Sequence, residues 1–140
     1  MPPAADKRAE AGLADTSVFI ARETGRPLGR MPERLAVSVV TIGELRLGVL
    51  AAADRATRAL RAETLALARR SDPIPISEAV MATWAELMRA CADARLRRQV
   101  NLMDSLIAAT ALEHGLAVVT QDDHFTAIAG AHPPLDVIQV

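Results

Sequence analysis

Gly12-Leu13-Ala14-Asp15-Thr16-Ser17-Val18-Phe19-Ile20 is an apolar run that stops at a carboxylate and then changes period. Gly12 to Ala14 reads as a strand. Thr16 to Arg22 reads as one or two helical turns, with Val18, Phe19 and Ile20 as apolar cover. Working outward, residues 23–33 carry Gly, Pro and Arg and read as loop. Leu35 to Val40 is rich in β-formers and is punctuated by Thr41. Thr41-x-x-Glu44 has capping-box form, and the helix it predicts carries Ile42, Leu45, Leu47, Val49 and Leu50 at roughly helical spacing. Asp54 to Arg70 is a second helical stretch with Leu60, Leu65 and Leu67 inside, stopped by Ser71-Asp72-Pro73. Ile74-Pro75-Ile76 is extended, and Ser77 opens a helix whose face is Val80, Met81, Trp84, Leu87 and Met88. After a basic stretch, Asn101 is expected to cap a helix with Leu102, Leu106, Ile107, Ala109 and Leu112 on its apolar side, ending at Gly115. Leu116 to Thr120 is a continuous apolar strand, Asp122 is placed to cap a short helix through Ala129, and Leu135 to Val140 is a last strand.

Strands alternate with helices, and the strands are apolar throughout rather than on alternate residues. That pattern predicts an α/β fold in which a central, mostly parallel sheet is covered by helices on both faces. The 140 residues suit one domain, read here as residues 12–140 behind a mobile lead-in at 1–11. Apolar residues are 51% and aromatics 2%, so the chain can build a core but cannot supply the row of aromatic platforms used by stacking-based single-strand binders. A single cysteine, Cys91, excludes an internal disulfide framework and a Cys-rich zinc site. The polar N-terminus has no secretory pattern and no apolar run is long enough for a membrane span, so a cytoplasmic protein is expected.

Four acids fall where strands give way to helices: Asp15, Glu44, Asp104 and Asp122. In open parallel sheets ligand sites lie outside the carboxyl ends of the strands. Each acid has an ordinary explanation as a helix-start or capping residue. Capping does not account for the Asp122-Asp123 doublet, or for an acid that follows a buried strand with Thr16-Ser17 behind it. Carboxylates crowded together repel, and a hard divalent cation with oxygen ligands, Mg²⁺ or Mn²⁺, relieves that.

The segments Leu13-Ala-Asp15-Thr16-Ser17-Val18, Ser38-Val-Val-Thr41-Ile-Gly-Glu44-Leu45, Asp104-Ser-Leu-Ile-Ala-Ala109 and Val119-Thr120-Gln-Asp122-Asp123-His124-Phe125 occur in order from residue 12 to the C-terminus. They resemble the motifs of PIN-domain ribonucleases, and most closely those of the VapC toxins of bacterial VapBC toxin–antitoxin pairs. The resemblance implies a PIN-like three-layer sandwich and a Mg²⁺- or Mn²⁺-dependent endoribonuclease. In it Asp15, Glu44, Asp104 and Asp122 form the catalytic, metal-holding quartet, and Thr16, Ser17, Thr120 and Asp123 support it. It further implies cleavage of structured RNA (tRNA or ribosomal RNA) by metal-activated water, leaving a 5′-phosphate and a 3′-hydroxyl. The implied partners are a second copy of the chain and a cognate VapB-type antitoxin that inhibits the enzyme. Val18, Phe19, Leu45, Val49 and Leu50 are candidate antitoxin contacts. A catalytically silent PIN-like module that binds RNA or protein is the alternative.

Fifteen of the sixteen basic residues are Arg, and the net charge is −1, so any RNA contact must be local. Arg26 and the cluster Arg95, Arg97 and Arg98 are the candidates for RNA-backbone contacts. His114 near a helix end suits a capping role, while His124 adjoins the Asp122 motif. A phospho-acceptor receiver domain would need a lysine near its acidic pocket, and the single lysine is Lys7. No Gly-rich phosphate loop ending in Lys is present, which disfavours an NTPase.

Overall fold

The computed structural model describes residues 10–140. Its elements run β1 (Ala11–Ala14), α1 (Thr16–Glu23), β2 (Arg34–Ala36), α2 (Val39–Leu50), α3 (Arg55–Arg69), α4 (Glu78–Asp93), α5 (Leu102–Glu113), β3 (Ala117–Thr120), α6 (His124–Ala131) and β4 (Val137–Gln139). Of the expected lead-in, residues 1–9 lie outside the described residues, and Ala11 already pairs with Arg34 in the sheet.

The four described strands are parallel and ordered β2-β1-β3-β4. Side chains alternate across this sheet, and each face has its own core. Leu13 and Val118 pack with Val80, Leu87, Ile107, Phe125 and Ile128 from α4, α5 and α6. Ala14 and Val119 pack with Val18, Phe19, Leu45 and Leu65 from α1, α2 and α3. The result is the three-layer sandwich with helices on both faces. β1 and β3 can lie close because residue 12 is glycine: a Cβ there would fall 2.4 Å from Val119 Cγ2.

Several local expectations are corrected. The cap of α2 is Ser38, whose hydroxyl accepts from the Val40 N–H at 3.0 Å, so Val39 and Val40 open the helix instead of extending the strand. Thr41 is therefore a fully buried residue of the first turn, and Glu44 stands in the second turn rather than the first. Asp123, not Asp122, occupies the position before α6, and its side chain makes no capping bond. Leu47, Leu50, Leu60 and Leu102 are exposed, because helical spacing marks a stripe without saying how much of it a neighbour covers. Asp54, Ser77 and Asn101 cap α3, α4 and α5 as expected, and Gly115 takes the left-handed conformation (φ +65°) after α5. Among the described residues no helix is long and apolar enough to cross a membrane.

Candidate active site

β1 leads out to β2 on one side, and the chain returns across the sheet to place β3 on the other side of β1. The strand order reverses between β1 and β3, and a crevice opens beyond their carboxyl ends. Asp15 follows β1, Thr120 ends β3, and Asp122 comes two residues later. Glu44 reaches the same place from α2 and Asp104 from the first turn of α5. All four acids line one cleft of about 330 Å³, together with Thr16, Ser17, Arg26, Asn101 and His124.

Side-chain capping does not account for these acids, although Asp104 does stand in the first turn of α5 as a helix-start acid would. Asp15 precedes α1 without a side-chain capping bond. Glu44 lies too deep in α2 to cap it. Asn101 Oδ1 takes the Met103 and Asp104 N–H groups, leaving the Asp104 carboxyl free of that task. Asp122 is not at the capping position of α6.

Hydroxyl groups orient part of the cluster. The Thr120 hydroxyl donates to Asp15 Oδ2 at 3.0 Å and accepts from the Asp122 N–H at 3.0 Å. Having spent its one proton, it must also be the acceptor in its 3.2 Å contact with Ser17, whose hydroxyl in turn accepts from the Gln121 N–H. The buried Asp15 carboxylate is thus the end point of a directed chain of hydrogen bonds. Across the cluster, the Thr16 hydroxyl donates to Glu44 Oε1 at 2.7 Å and lies 3.1 Å from the Thr41 hydroxyl. The Gln121 amide donates to Pro27 O and Val140 O, tying the loop next to Arg26 to the end of β3.

Asp104 has no hydroxyl partner. Burial, then the nearby Asp15 charge, pushes its carboxyl up to about 6; His124 opposes this, and Glu44 and Asp122 add to the rise. His124 Nδ1 is 3.6 Å from Asp104 Oδ2. Four carboxylates are therefore close enough to feel one another.

Of the supporting residues, Thr16 and Ser17 line the cleft and Thr120 holds Asp15. Asp123 lies outside it and lines an adjoining cleft. Arg26 is at the rim; Arg95, Arg97 and Arg98 are exposed on the segment between α4 and α5 and do not line it. Among the proposed antitoxin contacts, Val18 and Phe19 are core residues and are corrected on that account, whereas Leu45, though largely buried, still lines a groove between α1, α2 and α3, and Leu50 is exposed. Sequence reasoning missed Thr41 as a neighbour of the Thr16–Glu44 pair, because its spacing from Glu44 looked like a cap.

The four acids form an all-carboxylate donor set, which suits a hard divalent cation such as Mg²⁺ or Mn²⁺. Among the described residues no three acids or imidazoles converge closely enough to ligate one ion together. Mg²⁺ commonly takes one or two carboxylates and keeps several waters, so the set remains compatible with it.

A family model described as PIN domain matches residues 13–131. The chain is 62% identical over 100 residues to Ribonuclease VapC8 of Mycobacterium tuberculosis, covering 71% of this chain and 89% of that one. It is 47% identical over 133 residues to Ribonuclease VapC4 of the same species, covering 91% and 95%. Among solved structures it superimposes on VapBC-5, from the VapBC family of toxin–antitoxin systems of Mycobacterium tuberculosis, with a TM-score of 0.82, 41% identity and coverage of 93% and 98%.

Proposed function

The chain belongs to the PIN-domain family, and on that footing we propose that it is a metal-dependent endoribonuclease, the toxin of a VapBC-type pair. The single observation that carries the reading is the meeting of Asp15, Glu44, Asp104 and Asp122, from four separate chain segments, in one cleft. Asp15 and Glu44 would hold Mg²⁺ or Mn²⁺ with Asp104 and Asp122 directly or through water. A bound divalent cation supplies an acidified water and neutralises charge growing on the phosphoryl oxygens. Thr120 keeps the Asp15 carboxylate in one orientation, and Thr16 does the same for Glu44. Arg26, at the rim, is placed to take a phosphate oxygen of structured RNA, tRNA or ribosomal RNA being the expected classes.

Incubation with RNA should give fragments carrying 5′-phosphates in Mg²⁺ or Mn²⁺ and none in excess EDTA. EDTA-resistant cleavage would refute the metal-dependent mechanism.

Inhibition by a VapB-type antitoxin belongs to the same proposal. A groove of about 270 Å³ between α1, α2 and α3 shares Thr16, Ile20 and Glu44 with the carboxylate cleft and is lined further by Leu45, Gly48 and Arg61. Ile20 is partly exposed there and Leu47 stands out from the neighbouring face of α2. A partner segment with apolar anchors and one basic side chain would fill the groove and reach the acids, and the toxin would work as a homodimer. Ile20→Glu should weaken inhibition by the partner; unchanged inhibition removes this groove from the interface.

A further inference from the structure

The Asp122-Asp123 doublet divides between two clefts. Asp122 lines the carboxylate cleft, and Asp123 lines a second one of about 310 Å³. Asn101, Asp104 and His124 line both, so the clefts share a wall. The second cleft adds Gln99, Ala127 and Ile128.

Asp104 and His124 face each other across its wall at 3.6 Å, but its other polar groups keep free capacity. An aspartate before a helix ordinarily accepts from the first-turn N–H groups. Asp123 makes no such bond, and its carboxylate has no hydrogen-bond partner among the described residues. Asn101 spends its Oδ1 on the Met103 and Asp104 N–H groups, which leaves Nδ2 to donate. Gln99 is exposed and brings a second amide. The surface thus presents the Asp123 carboxylate, with Asp104 as a second carboxylate on the shared wall, two amide donors, an exposed imidazole and the exposed methyl of Ala127 over the buried Ile128. Phe125, next to His124, is fully buried, so the ring available at this wall is the histidine's.

We propose that the second cleft is a base-reading subsite that takes the Watson–Crick edge of an unpaired guanine flanking the scissile phosphate. The placement beside a scissile bond rests on the nuclease reading of the neighbouring cleft. A nucleotide whose phosphate lies over the four acids has its base one sugar away, across the shared wall. Guanine is selected by Asp123. Its N1–H and N2–H₂ groups stand side by side and match the two oxygens of one carboxylate, while its O6 can accept from an amide of Gln99 or Asn101. Adenine and cytosine offer one amino group flanked by an acceptor that would face the carboxylate, and uracil offers one N–H between two carbonyls. The Watson–Crick edge is free only in loops and single strands, and rings such as histidine are the usual stacking partners of splayed bases.

The test has a binding arm and a cutting arm. Methyl-labelled full-length protein is titrated with each of the four ribonucleoside 5′-monophosphates. GMP should shift the Ala127 and Ile128 methyl signals saturably, with the others weaker by at least about tenfold, the discrimination of one bidentate base contact. Asp123→Ala should abolish the selectivity. Ala127→Leu, which fills the cleft from an exposed helical position, should abolish binding. In the cutting arm a random-sequence RNA pool is digested and the fragment ends are sequenced. Guanine should be enriched at one position beside the cuts of the wild type, and the Asp123→Ala cuts should lose that enrichment. Equal shifts from all four nucleotides, or none, overturn the proposal. Selective GMP binding without guanine at the cuts makes the cleft a free-nucleotide site and also overturns it. A pool left uncut in Mg²⁺ and Mn²⁺ refutes the nuclease reading itself, whatever GMP does.

Discussion

Asp15 and Glu44 each have one carboxylate oxygen tied to a threonine hydroxyl. Asp104 faces an exposed imidazole at 3.6 Å, and Asp122 is held through its backbone N–H rather than its side chain. One half of the cluster is therefore oriented before anything binds. The other half carries the electrostatic strain, expressed in the raised Asp104 carboxyl. On the proposed metal-dependent reading the labour would divide: the hydroxyl-bound pair would fix where a cation sits, and the looser pair would adjust to it. Preorganised groups lose little on binding, whereas adjustable ones let the charge balance change without rebuilding the core.

The largest expected effect comes from removing a charge in the oriented half. Asp15→Asn keeps an acceptor for Thr120 and should leave the far-ultraviolet circular dichroism unchanged. Cleavage in Mg²⁺ should nevertheless fall by at least roughly 10²–10³-fold. Activity near the wild-type level would show that the fixed half does not hold the ion.

Asp104→Asn should cost comparable activity and yet behave differently in stability, which sharpens the contrast. A carboxyl whose folded pKa is raised, here from 3.8 to about 6, binds its proton more tightly in the folded state. The contribution of Asp104 to metal-free stability should therefore be greatest below about pH 4, fall as pH climbs through 4 to 6, and stay at the lower level above. The loss is on the order of 1–2 kcal/mol once solvent screening is allowed for. In EDTA at neutral pH, Asp104→Asn should melt higher than the wild type and show a flatter dependence across that window. Adding Mg²⁺ should raise the melting temperature of the wild type more than that of the variant. A variant that melts lower than the wild type at neutral pH in EDTA would show that Asp104 is not the strained member.

How far the site could be read from residues depended on whether its chemistry was local. The parallel sheet followed from unbroken apolar runs such as 116–120, because a strand buried on both faces cannot alternate. Asp15, Asp104 and Asp122 stood out by their positions just after strands and at a helix start, while Glu44 was singled out at a helix start that lies three residues earlier in the structure. Their hydroxyl partners were legible as types, since Thr16, Ser17 and Thr120 sit beside them in sequence, but the connections span 105 residues from Asp15 to Thr120 and need the register of β1 against β3. The cap of α2 was misplaced by three residues because Ser38 and Thr41 are both good caps, and tertiary packing draws Thr41 inward under Thr16. The exposure of Leu47 and Leu50 was beyond reach for the same reason: α2 packs most heavily on α3, and periodicity cannot say which part of a stripe α3 leaves uncovered.

The two threonines offer the smaller tests of the comparison, and they should differ from each other. Thr120 is fully buried and joins Asp15, Ser17 and the Asp122 N–H, so Thr120→Val strands several polar groups at once. A stability loss of about 2–3 kcal/mol is expected in chemical denaturation, with cleavage reduced about tenfold. Thr16→Val removes the donor to Glu44, which is only half-buried and can turn to water instead, and also the 3.1 Å partner of the buried Thr41 hydroxyl. That change should cost about 1 kcal/mol and a few-fold in cleavage, chiefly as a higher Mg²⁺ requirement. Thr16→Ser keeps the hydroxyl and should restore the wild-type Mg²⁺ dependence, which a purely steric role for the threonine methyl would not allow. If Thr16→Val left the Mg²⁺ requirement unchanged, Glu44 would need no positioning, and the oriented half of the cluster would reduce to Asp15 alone.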